Sequence, residues 1–239
     1  MKQANHCRRP GTILLCLTAL VSFAQAQTVE VTAHVQVTQR SHRASHTDSG
    51  DVVLWLTPND KALLPPPQQQ HSYTLAQKNK QFIPHILVVA TGSTVDFPNL
   101  DPFFHNVFSL FNGKRFDLGL YEAHTHRVVQ FDREGVSYIF CNIHPEMGAV
   151  VIALSTPYFG LSAPDGAIRI RGVPAGSYRL NLWAENVAVD RLNAFSRVVE
   201  IGPRSTQLGN FQLQASGDIM THHENKFGEA YTPLPTSPY

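Results

Sequence analysis

The chain has 239 residues, 43% of them hydrophobic and only 15% charged, and its 19 Lys and Arg nearly balance 18 Asp and Glu. So low a charged fraction excludes a coiled coil or a charged disordered chain, and a net charge of +1 leaves no broad electrostatic footprint for nucleic acid. The length suits one or two domains.

Residues 1–26 read as a signal peptide. Lys2, Arg8 and Arg9 form a basic start, and Thr12 to Phe23 is largely apolar. Ala24-Gln25-Ala26 then places small residues where a signal peptidase reads them. Leu15 before Cys16 speaks against a lipoprotein site. Cleavage after Ala26 and export, periplasmic or otherwise, are expected. Three of the 19 basic residues and none of the 18 acidic ones leave with that segment, which turns the net charge from +1 to −2. Cys7 and Cys16 leave too, so Cys141 stays alone in an oxidising compartment. A lone thiol there implies burial, catalysis, intermolecular pairing or metal ligation. No later apolar run is long enough to span a membrane.

The mature chain alternates with period two. Thr28 to Val37 puts Val29, Val31, Ala33, Val35 and Val37 on one face, and Asp51 to Leu56 is the next β-rich run. Pro65-Pro66-Pro67 with Gln68, Gln69 and Gln70 cannot be a central strand. Ile86 to Val89, Thr94 to Phe97, a strand opening at His105, Val128 to Phe131, Val136 to Phe140 and Val150 to Leu154 follow. Beyond Pro157 come Ala167 to Ile170, Ser177 to Trp183 and Phe195 to Ile201, and after Leu213 a polar, Pro-rich tail (216–239) expected to be mobile. Turn signals at Thr91-Gly92, Asn112-Gly113, Asp165-Gly166 and Pro174-Ala175-Gly176 separate the runs, and no window carries a helical apolar stripe. The fold class is all-β, built of short strands in sandwiches.

The chemistry concentrates in Phe140-Cys141-Asn142-Ile143-His144-Pro145-Glu146-Met147, directly after a β-prone run. A loop between two strands can turn Cys141, His144 and Met147 towards one point, and His105 can join them from a neighbouring strand. Two imidazoles, a thiolate and a weak axial thioether suit one-electron copper, since the sulfur ligands accept Cu(I) and the imidazoles also accept Cu(II). Pro145 stiffens the loop, and Asn106 is placed to hydrogen-bond across to it. A nucleophilic Cys141/His144 pair is the catalytic alternative, but their spacing on a tight loop serves a metal better. Zinc would prefer harder ligands than Met147, and a two-copper centre would need a second cysteine. His124 and His126 read as a solvated strand end, His85 as structural, and His42, His46, His222 and His223 as solvated.

Asn99, His105-Asn106-Val107 and Cys141-x₂-His144-x₂-Met147 together resemble the cupredoxins, in particular the short ligand loop of amicyanin-like proteins. From Lys78 to Tyr158 the chain also resembles cupredoxin-like proteins called methylamine utilization proteins, through Lys80 to His85, Phe97-Pro98-Asn99, Phe108-Ser109 and Phe116-Asp117-Leu118-Gly119. The resemblance implies a Greek-key barrel or sandwich holding one mononuclear type 1 copper ion, Cu(I)/Cu(II), ligated by His105, Cys141, His144 and Met147. Ser162 to Ile170 and Val173 to Leu180 resemble a carboxypeptidase-regulatory-like domain, a second small immunoglobulin- or transthyretin-like β-sandwich. Its opening strands are missing after Ser155 but could be Val29 to Val37 and Asp51 to Pro58. The expected organisation is therefore an insertion: a copper domain at 67–154 interrupting a sandwich made from 27–66 and 155–215. Two consecutive domains, with the N-terminal strands joining the copper domain, are the alternative.

The expected function is an exported electron carrier, not an enzyme, since no further acid–base pair demands a substrate pocket. Its partners would be redox proteins. A copper-holding or copper-delivery protein, and a scaffold merely stabilised by copper, are the other readings.

Overall fold

The computed structural model describes residues 27–38, 49–65, 71–110, 113–204, 206–215 and 224–231. The signal segment, His42, His46, the Gln68–Gln70 run, Asn112, His222 and His223 lie outside the described residues.

Strands dominate throughout. Two open the described chain, β1 (Thr28–Thr38) and β2 (Val53–Pro58). Ten follow: β3 (Ser72–Thr74), β4 (Ala76–Lys78), β5 (Gln81–Ile83), β6 (Ile86–Ala90), β7 (Thr94–Pro98), β8 (His105–Ser109), β9 (Phe116–Tyr121), β10 (His126–Gln130), β11 (Gly135–Cys141) and β12 (Gly148–Leu154). The last five are β13 (Phe159–Leu161), β14 (Ala167–Pro174), β15 (Gly176–Trp183), β16 (Arg197–Ile201) and β17 (Thr206–Gln214), with one short helix, α1 (Val189–Asn193), between β15 and β16. The molecule is an all-β sandwich structure.

The middle strands form a five-stranded sheet in the order β6-β12-β11-β8-β9, a three-stranded sheet β10-β7-β3 and a β4-β5 hairpin. Their apolar faces meet around Leu75, Phe97, Tyr121, Phe131, Ile139 and Val151, all fully or almost fully buried.

The remaining sheets mix the two ends of the chain. β1 lies between β14, antiparallel, and β17, parallel, while β2 lies between β13 and β15. The alternation of β1 explains its place: Val29, Val31, Ala33 and Val35 are buried against Leu54, Leu56, Tyr178, Leu180 and Phe211 of these sheets. The Asp165-Gly166 turn needs its glycine. Gly166 has φ +85° and packs so closely on β1 that any side chain there would strike the Val35 carbonyl.

β12 is apolar without alternation because both its faces are covered. Ala149, Val151 and Ala153 face the middle sheets, whereas Val150, Ile152 and Leu154 join Ile86 and Val88 of β6 in the core that contains β1, β2 and β15. The β6-β12 edge of the five-stranded sheet is thus a shared wall between the two apolar cores.

Candidate metal centre

Cys141 ends β11 and is antiparallel to Val107 of β8, which places it beside His105 at the start of β8. The chain then turns back into β12 at Gly148 through the loop 142–147. Three main-chain bonds hold that loop: Asn142 N–H donates to the Asn106 carbonyl (2.8 Å), Met147 N–H to His144 (3.0 Å) and Cys141 N–H to Met147 (3.3 Å). Pro145 is exposed at its tip.

This brings three donors together. Cys141 Sγ is 3.6 Å from His105 Nδ1 and 3.5 Å from His144 Nδ1, and the two nitrogens are 3.2 Å apart. A point equidistant from all three lies about 2.0 Å from each, the length of a bond from nitrogen to a first-row metal and slightly short of one from sulfur. Among the described residues this is the one cluster of histidine, cysteine and acidic side chains with metal-ligand spacing. Met147 is completely buried in the same core as Cys141. His105 and Cys141 are also completely buried, and His144 is half-buried.

Burial dominates the electrostatics of the triangle. Burial pushes the Cys141 thiol up, against main-chain N–H groups of Asn106, Ile143 and His144 that bond to the sulfur and favour its thiolate. Burial pulls the His105 imidazole down, more than Asp101 raises it. Burial and the neighbouring His105 bring His144 down to about 4. Both rings are therefore neutral at pH 7. Asp101 Oδ2 lies 3.0 Å from His105 Nε2 and accepts its hydrogen bond, so Nδ1 carries a lone pair into the triangle.

Asp101 was not visible as a site residue from the sequence. Its carboxylate is held by N–H groups of Asn79 (2.6 Å) and Lys80 (3.0 Å). Burial alone would raise it, but the Lys80 N–H, the His105 ring and the Asn79 N–H keep it below the usual carboxylate range. Asn99 shapes the loop that presents it, accepting from Asp101 N–H (3.0 Å) and donating to the carbonyls of Phe103 (2.7 Å) and Glu122 (3.2 Å). Phe103 packs its ring against both imidazoles, with centroids 5.4 Å and 5.5 Å away.

Asn106 crosses to the ligand loop through its main-chain carbonyl, while its side-chain Nδ2 donates to Asp117 of β9 (3.1 Å). Of the remaining histidines, His126 Nδ1 contacts Asp96 (2.7 Å) and His85 Nε2 contacts both oxygens of Glu185 (3.0 Å each). Neither belongs to a cluster with metal-ligand spacing among the described residues. Part of the expected mobile tail also lies here: Lys226 and Tyr231 touch the ligand loop.

No protein-family profile matches the chain, and no curated protein is similar to it. Solved structures resemble part of it. One is a purple cupredoxin from Nitrosopumilus maritimus, 23% identical over 34% of this chain and 99% of that one, with a TM-score of 0.31. Another is a copper-containing nitrite reductase from Thermus scotoductus SA-01, 22% identical over 41% of this chain and 27% of that one, with a TM-score of 0.35. A reduced amicyanin variant is 19% identical over 35% of this chain and 82% of that one, with a TM-score of 0.33.

Proposed function

We propose that this protein is an exported mononuclear type 1 copper protein that carries single electrons between protein partners. His105, Cys141, His144 and Met147 would hold the copper, which would supply a one-electron couple. The observation that carries this reading is the Sγ–Nδ1–Nδ1 triangle, whose edges of 3.6, 3.5 and 3.2 Å fit one metal ion. A donor set of one thiolate, two neutral imidazoles and a thioether selects copper over zinc and over harder cations.

The chain's own residues make the site rigid and dry. Burial of His105, Cys141 and Met147 excludes water, and the three main-chain bonds of the ligand loop resist movement on a change of charge. Asp101 keeps His105 in the tautomer that offers Nδ1. The N–H groups around Cys141 spread the charge of its thiolate.

We also propose that the copper unit, 67–154, is an insertion into a sandwich assembled from 27–66 and 155–215. The pairing of β1 with β14 and β17, and of β2 with β13 and β15, supports this organisation. Export is supported by the basic and apolar start of the chain, and no helix among the described residues is long and apolar enough to cross a membrane.

Voltammetry of the copper-loaded protein tests the carrier reading. A reversible one-electron couple with fast exchange is expected. An irreversible response, with copper passing readily to an acceptor, would favour copper delivery instead.

A further inference from the structure

The last strand of the outer sheets, β17, ends at Gln214, yet residues 224–231 lie against the ligand loop of the middle sheets. This segment is a folded turn. Asn225 Oδ1 accepts from the N–H groups of Phe227 (2.9 Å) and Glu229 (3.0 Å), and Asn225 N–H donates to the Glu229 carbonyl (2.9 Å).

Three bonds join the turn to the metal centre. Lys226 N–H donates to Asn142 Oδ1 (2.9 Å), Lys226 Nζ pairs with Asp117 Oδ2 (2.7 Å), and the Tyr231 hydroxyl donates to the Cys141 carbonyl (2.9 Å). Asp117 in turn holds the side chain of Asn106, the neighbour of His105. The turn therefore grips both ligand-bearing elements, β8 through Asp117 and Asn106, and the loop through Asn142 and Cys141. Since Cys141 N–H already bonds to Met147, the Tyr231 hydroxyl leaves neither main-chain polar group of the thiolate residue free.

We infer that residues 224–231 form a clasp over the metal centre, with Tyr231 as a positioning residue for Cys141. The clasp restrains opening of the loop with or without metal, and its effect on copper retention rests on the function proposed above. A hydroxyl bonded to a carbonyl contributes modestly, so its loss should speed local opening roughly threefold to tenfold.

The test compares the full chain with Tyr231→Phe, which removes only the hydroxyl, and with Val189→Ala, a control on α1 outside the segment, where the residue is 67% exposed. Amide exchange of Asn142 and Met147 in the metal-free protein reads loop opening directly. Loss of copper to a chelator reads it in the loaded protein. The expected result is faster exchange and faster copper loss in Tyr231→Phe by a similar factor, with Val189→Ala unchanged. Unchanged exchange in Tyr231→Phe, or an equal change in Val189→Ala, would overturn the clasp. Failure of the unaltered chain to bind copper would defeat the electron-carrier reading, while the exchange comparison would still decide the clasp.

Discussion

His105 Nε2–H donates a hydrogen bond to Asp101 Oδ2 across 3.0 Å, with His105 completely buried and Asp101 only 3% exposed. The carboxylate makes the ring a stronger donor at Nδ1 and fixes its plane. Replacing it with an amide leaves the shape but removes the charge. Asp101→Asn should weaken Cu(II) binding about 10- to 100-fold and raise the reduction potential, because the more highly charged ion loses more. Competition titration and voltammetry measure both, and unchanged values would show that Asp101 only supports the loop.

Met147 and His105 should separate cleanly. Met147→Leu keeps the triangle and should leave a coloured centre with a raised potential, since a weak donor to Cu(II) becomes hydrocarbon. His105→Ala removes one corner of the triangle and should abolish the spectrum. Equal, negligible effects would rule out this ligand assignment.

The His85–Glu185 pair gives the metal-free protein a pH dependence. The hydrogen bond and charge of Glu185 raise His85 above its ordinary 6.5, against the opposing effect of burial. A raised folded value means that protonated His85 stabilises the fold fully below pH 6.5, and that this increment fades as pH rises through the folded value. Thermal melts should therefore show a midpoint that falls above pH 6.5, and His85→Gln should flatten that part of the profile. An identical profile in the variant would remove His85 from the account.

Because β12 is covered on both faces, damage to one face should reach both cores. Ile152→Ala empties space in the core shared with β1 and β2, and its cost should be about 2–5 kcal/mol. Denaturant unfolding should remain a single transition, followed equally by a probe in the middle sheets and one in the outer sheets. Two separated transitions would show that the β6-β12 wall does not couple them.

β1 was readable from its valine alternation, and the parity of the buried residues matches it. β17 and β9 were not readable, for a common reason. Gly209 and Gly119 take positive φ, and the pairing register shifts beside each, so Leu208 and Phe211 are both buried although three residues apart. A bulge breaks the period that marks a strand. At the site, Cys141 and Met147 stand out because their types are scarce, and His144 because it lies between them in sequence. Asp101 stays hidden because its loop has no periodicity and its role depends on where the His105 ring points. Tyr231 stays hidden because nothing local in a polar, Pro-rich stretch signals a bond to residue 141.

The measurement that tests the central claim most directly is titration of the purified, metal-free protein with Cu(II), followed by visible absorption and metal analysis. The account predicts one copper per chain and an intense thiolate-to-Cu(II) charge-transfer band, which Cys141→Ser abolishes because a hydroxyl cannot donate as the thiolate does. A protein that retains zinc alone, and gives no coloured species with added Cu(II), would contradict it.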